Sequence, residues 1–408
     1  MLLPSNYSSV LKNSNFIKLW LAQFISIFVV SLLNFVLIVR IFESTHSNTA
    51  IAVFWMIYNL PTVILGLFAG VLIDYWSKRK VLFLTNVLQA AAALLYLSLG
   101  TKIWPIYGVV FLYSLIDEFF RPAQEASLPS FVKKENLPFA NSVMLFSLQG
   151  AGIAGYTLSG PLMRLVSQQS IFFLGSILLL FGAVAAALLP IDQPANHQKP
   201  LQNGFIGLLN DLKVGYRLIL RERKIWGSIL LMMLVGAVTA MVVALGPAIA
   251  ENIFAIDLRD IGVLMVPPAA LGAILASFSI DRLIKGLGRV RLTRFGFFLM
   301  GFYFLALPFL RQSLTTKLAF ILTSSFLTGV VLVLISVFPK TAIQESTPFD
   351  NRGRVFGTLR TLISAASGVP MILGAALADL VGLRLVLGGT GAAVLVLVFL
   401  LLRSDDVL

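Results

Sequence analysis

The 408-residue chain has no cysteine, so disulfides, thiol nucleophiles and thiolate metal ligands are excluded at the outset. Histidine is nearly absent as well. His46 and His197 fall in expected loops on opposite faces, read as solvated residues, and cannot share a metal. Charge is scarce: Asp, Glu, Lys and Arg make up 12% of residues, against about a quarter in a soluble domain. No Gly-x-x-x-x-Gly-Lys-Ser/Thr phosphate loop occurs, which removes a nucleotide-driven pump. No nucleophile cluster, histidine pair or carboxylate dyad can be assembled at one depth, so an enzyme has no catalytic set, and no cofactor is expected. The short alternating segments of a transmembrane barrel are missing. No small-residue cleavage site follows the first apolar run, so no removable signal peptide is expected.

What is present is apolar sequence. Hydrophobic residues make up 58% of the chain, in runs of about 20 residues that each cross a ~30 Å hydrocarbon core as a helix. Twelve spans are expected, over roughly 16–41, 50–73, 81–99, 103–120, 140–163, 170–190, 225–250, 261–280, 293–310, 318–338, 356–379 and 384–402. The fold class is therefore an all-α polytopic membrane protein with 12 transmembrane helices.

Orientation follows from the cations. Of 31 Lys and Arg, 24 lie in the termini and the loops after the even-numbered spans, and 7 on the other side. The positive-inside bias makes both termini cytoplasmic. It also explains the net charge of +13 without a nucleic-acid partner.

The longest connection, 191–224, separates two halves, 1–190 and 225–408. It opens with prolines and continues with Phe205, Leu208, Leu209, Leu212, Tyr216, Ile219 and Leu220 at helical period, which predicts an amphipathic helix on the cytoplasmic surface. The halves echo one another. Asp74 after the second span is matched by Asp281 after the eighth, and Gln124-Glu125 after the fourth by Gln344-Glu345 after the tenth. Two six-helix halves of like order form a parallel-repeat transporter architecture.

Gly70-x-Leu72-x-Asp74-…-Lys78-Arg79-Lys80 resembles the loop signature of the major facilitator superfamily, with Tyr75, Ser77 and Lys78 departing from its usual residues. The segment from Phe119-Phe-Arg121-Pro122 to Ala140-Asn141-Ser142 resembles the macrolide-efflux and enterobactin-exporter branch. So do Asn351-Arg352-Gly353-Arg354-Val355-Phe356 and the opening Asn15-Phe16-x-x-Leu19-Trp20.

The resemblance implies the major facilitator fold and a gate in this loop that locks the outward-facing state. Asp74 is expected to pair with Lys78 or Arg79 and to contact the start of span 11 near Phe356–Thr358, just after Arg352 and Arg354; its repeat counterpart Asp281 is counted in the same gate set. Asp117 and Glu118 lie within one turn of Arg121, and one of them is expected to pair with Arg121 or Arg79, as part of a gate cluster or as a proton carrier. No carboxylate is expected near the midplane of any span, and Glu251 and Asp379 are placed at or near outer ends. Span 5, Gly150-Ala-Gly152-Ile-Ala-Gly155 to Gly160-Pro161, resembles the antiporter glycine signature, and reads equally as a pliable seam or as tight packing.

By family architecture the substrate cavity is lined by Asn34, Tyr58, Asn59, Tyr113, Gln149, Tyr156, Thr239, Ser325 and Ser364. The 32 phenylalanines and 10 methionines suit a soft apolar cavity. The resemblance therefore implies a secondary transporter that exports hydrophobic or amphipathic small molecules by alternating access, driven by a proton gradient, as a monomer in the bacterial plasma membrane. A lysophospholipid flippase of the same fold and a non-transporting scaffold or receptor stay open.

Overall fold

A computed structural model describes residues 10–191, 223–309, 314–347 and 352–401. Among these the chain is almost entirely helical and contains no strand. Its long helices are α1 Ser14–Thr45, α2 Asn48–Asp74, α3 Lys78–Leu99, α4 Ile103–Phe131, α5 Leu137–Leu165 and α6 Gln168–Ala187, followed by α7 Arg223–Ile249, α8 Ile261–Leu287, α9 Arg289–Ala306, α10 Leu314–Ser346, α11 Arg352–Val381 and α12 Leu383–Leu401. All 12 are long and apolar enough to cross a membrane. The amphipathic helix expected near 205–220 lies outside the described residues.

Two compact units result. One comprises Met1–Ser44 and Ile57–Ile206, the other Thr45–Met56 and Gly207–Leu408. The helix α2 thus begins in the second unit and ends in the first. Helix pairing repeats between the units. In the first, α3 packs on α6, α1 on α5, and α2 on α4; in the second, α9 packs on α12, α7 on α11, and α8 on α10.

Small residues set the closest approaches. A Cβ on Gly155 of α5 would stand 2.5 Å from the Phe28 carbonyl oxygen of α1, and one on Gly329 of α10 would stand 1.8 Å from the Ala269 carbonyl oxygen of α8. No alanine fits either place, so Gly155 in the glycine-rich fifth span serves packing. Polar side chains add ties between helices. Asn13 caps α1 through its Oδ1, which accepts from the Asn15 and Phe16 amides, while its Nδ2 donates to the Phe131 carbonyl at 2.6 Å. Gln23, buried in α1, donates to the Met144 carbonyl of α5 at 3.0 Å.

The observed helices exceed the apolar runs where polar sequence continues the same helix. The largest difference at a single end is in α4, expected to end near residue 120. It runs to Phe131 through Pro122 and Pro129, because polar residues end the run of apolar sequence without ending the helical hydrogen bonding inside the span. This places Asp117 about 21 Å from either end of α4, at ~1.5 Å per residue.

Candidate functional site: a polar cluster inside the first unit

Five helices of the first unit contribute polar side chains to one region. From α3, Gln89 is fully buried and donates through Nε2 to Asp117 Oδ1 at 2.7 Å. Its Oε1 faces the Ser26 hydroxyl of α1, also buried, at 3.5 Å. One residue on in α4, Glu118 accepts from the Thr62 hydroxyl of α2. One turn before Asp117, the Ser114 hydroxyl donates to the Tyr58 carbonyl of α2 at 2.5 Å. Asn34 of α1 is buried and lies near Tyr58 of α2 and Tyr156 of α5. Phe35 packs edge-on against Tyr156, with ring centroids 6.3 Å apart.

Depth distinguishes this cluster from a surface gate. Gln89 lies about 16 Å along α3 from Lys78, halfway through a 22-residue helix. The carboxylate it holds is therefore near the middle of the hydrocarbon, which corrects the expectation that no span carries a mid-depth carboxylate. The expected pairing is corrected too. Asp117 is held by an amide and Glu118 by a hydroxyl, while Arg121 forms its ion pair with Glu125 one turn on, at 3.6 Å across exposed side chains. Both acids stay partly exposed. A carboxylate with neutral donors and an open side can bind and release a proton or meet a cationic group without first breaking a salt bridge.

Of the expected cavity residues in the first unit, Asn34 and Tyr113 are buried and Tyr58 and Tyr156 are partly buried. The Tyr113 hydroxyl is buried and has no hydrogen-bond partner among the described residues, an arrangement that costs about 1–3 kcal/mol. Asn59 and Gln149 are exposed. Thr239 on α7, Ser325 on α10 and Ser364 on α11 are in the second unit; Ser325 is buried and its hydroxyl is likewise without a partner among the described residues. Gln89, Ser26, Thr62 and Ser114 were not anticipated. The two amides in the apolar run of α3, Asn86 and Gln89, were the available signal.

Among the expected gate residues, Asp74 closes α2 and Lys78 opens α3, with Ser77 accepting from the Lys80 amide at 3.4 Å. Lys78 and Arg79 are partly buried. The side chains of Asp74, Asp281, Arg352 and Arg354 lie outside the described set. In the second unit Arg289 at the start of α9 grips Glu345 near the end of α10 at 2.8 and 2.9 Å. The repeated Gln-Glu pair thus takes a partner from another helix at Glu345 and from its own helix at Glu125.

The family model described as Major Facilitator Superfamily matches residues 19–369. The chain is 25% identical over 363 residues to the uncharacterized MFS-type transporter YfiS of Bacillus subtilis, covering 86% of this chain and 83% of that one. It is 22% identical over 386 residues to macrolide efflux protein A of Streptococcus pyogenes, with 90% of each covered. It is 25% identical over 384 residues to the enterobactin exporter EntS of Salmonella typhi, covering 90% and 87%. In fold it matches the nucleoside transporter NupG with a TM-score of 0.75 at 12% identity, covering 95% of this chain and 98% of that one.

Proposed function

The chain belongs to the major facilitator superfamily, and from that premise we propose that it exports a hydrophobic or amphipathic small molecule across a bacterial plasma membrane in exchange for protons. The protein is a transporter and not an enzyme, as its family and its structural neighbours are. Export is the activity named for two relatives that span nine-tenths of the chain. The cation-rich end, with both termini, is the cytoplasmic one on this reading.

The observation that carries the mechanism is Asp117. It lies at mid-depth in α4, held by Gln89 and beside Glu118, with Asn34, Tyr58, Tyr113 and Tyr156 in the same unit. Rings with polar tips suit a ligand that is largely apolar and carries a few hydrogen-bonding groups. Protonation of Asp117 from outside and deprotonation inside, with substrate moving the other way, is the proposed exchange. At the cytoplasmic end Asp74, with Lys78 and Arg79, gates the inner entrance.

Acid-inside proteoliposomes test this. They should accumulate a radiolabelled macrolide, and Asp117→Asn should reduce gradient-driven uptake at least tenfold, while exchange of macrolide without a gradient persists. Uptake that ignores the gradient, or an unaffected Asp117→Asn, refutes proton exchange through this residue. No flux of a macrolide, a catecholate siderophore or a lysophospholipid would instead favour a scaffold.

A further inference from the structure

At the end of the bundle opposite the cation-rich loops, one carboxylate accepts five hydrogen bonds from a helix start some 330 residues away. Asp379, in the last turn of α11, takes the Asn48 and Thr49 amides at 2.9 Å each, the Asn48 side-chain amide at 2.8 Å, and the Ser47 and Thr49 hydroxyls at 2.7 Å each. We propose that Asp379 is the latch that holds the outer entrance of the transporter closed, and that its release from the start of α2 is a step of the transport cycle.

Three observations favour a latch over permanent glue. First, α2 does not need Asp379 to begin. Ser47 already serves as its own cap, accepting from the Ala50 amide at 3.2 Å, so the helix keeps a conventional N-terminus when the carboxylate leaves. Second, Asp379 is electrostatically misplaced in its own helix. It sits two residues before Val381, the last residue of α11, among carbonyls that repel it, and Gly382 with φ +99° ends the helix there. Its stability therefore depends on the positive start of α2, a contact that can be made or lost as a whole. Third, water is at hand. Asp379 is itself exposed, and a cavity of about 580 Å³ lined by His46, Asn48, Asn252, Asp379 and Arg384 borders the contact. Water can take over the five bonds as they open.

The inference rests on the transporter reading for its meaning and not for its test.

With no native cysteine, a single introduced thiol reports access. Ala375, one turn before Asp379, is fully buried, and so is Ala90 in α3 to within 2%. In Ala375→Cys protein reconstituted with its outer face accessible, Asp379→Asn should raise the labelling rate by a membrane-impermeant maleimide about three- to tenfold. That is the shift expected when charge-assisted bonds to an exposed group weaken. Thr49→Val, which removes one hydroxyl donor, should give a smaller rise. The thiol of Ala90→Cys should stay unlabelled in both backgrounds. An unchanged rate at 375 overturns the latch. Equal gains at 375 and 90 overturn it too, because Asp379 would then support the fold. Labelling needs neither substrate nor gradient, so a protein that carried nothing could still show the latch, and a working transporter fastened elsewhere would not.

Discussion

Arg40 counts among the seven cations of the cation-poor side, yet it is 6% exposed inside the end of the first unit. A buried intramembrane arginine reads as a functional site by default; its contacts point the other way. Its Nε donates to Gln168 Oε1 at the start of α6 at 2.8 Å, and its Nη1 donates to the Tyr96 and Gly100 carbonyls at the end of α3, 3.3 Å each. The guanidinium also stands 4.8 Å from the Phe172 ring centre. One side chain from α1 therefore fastens the ends of α3 and α6, and its charge meets the negative end of α3. In Arg40→Met the short charged bond is worth about 1.5–3 kcal/mol, the two long ones well under that, and the ring contact about 1 kcal/mol. The relieved cost of burying the cation offsets part of the sum. A net loss of about 2–4 kcal/mol corresponds to a fall of roughly 5–15 °C in the temperature at which the detergent-solubilised protein loses its native gel-filtration peak. Arg40→Lys keeps the charge without the fork and should fall about midway. Flux at low temperature should stay within twofold of the native protein in both. Lost flux with an unmoved transition would refute the structural assignment.

Two further substitutions separate packing from function. Gly155→Ala should lower expression and cost about 1–3 kcal/mol in thermal stability, because its new carbon meets the Phe28 backbone at 2.5 Å; Gly152→Ala, whose nearest neighbour is Ser31 Oγ at 3.7 Å, should be neutral by the same melt. Tyr113→Phe removes a buried hydroxyl that has no partner among the described residues, so the transition should rise by up to about 1 kcal/mol equivalent. KM for a transported macrolide should nevertheless increase severalfold if that hydroxyl is kept for substrate, and an unchanged KM would remove Tyr113 from the site.

The spans were legible because a hydrocarbon slab imposes a length that sequence must match. The depth of Asp117 was not. The apolar run of α4 stops near residue 120, and nothing local says that Arg121-Pro122 continues a helix to Phe131. Gln89 is one of two amides in α3, with Asn86, but its meaning depended on which face α4 would cover. The repeated Gln-Glu pairs were visible as motifs, whereas their partners, Arg121 at i−4 and Arg289 on another helix, follow from packing. Asp379 was expected near an outer end, and it lies in the last turn of α11. Its bonds to Ser47, Asn48 and Thr49 join residues whose sequence context carries no mark of one another.

These carboxylates fall into two chemical groups. Near the cation-rich end, Glu125 and Glu345 take arginines across exposed surfaces, where such pairs contribute about 0–1 kcal/mol each and mainly fix geometry. Within the spans, Asp117 and Glu118 take an amide and a hydroxyl, and Asp379 takes amides and hydroxyls of a helix start. Neutral donors hold an anion in place without cancelling its charge. An arginine at mid-depth would fix Asp117 as a permanent ion pair, costly to break, and would remove it from any exchange. The donors actually present leave the charge available to a proton, and leave Asp379 free to part from α2 without stranding a buried cation. Scarcity of charge in this chain is thus compatible with a coupled mechanism, because among the described residues Asp117, Glu118 and Asp379 are held by neutral donors.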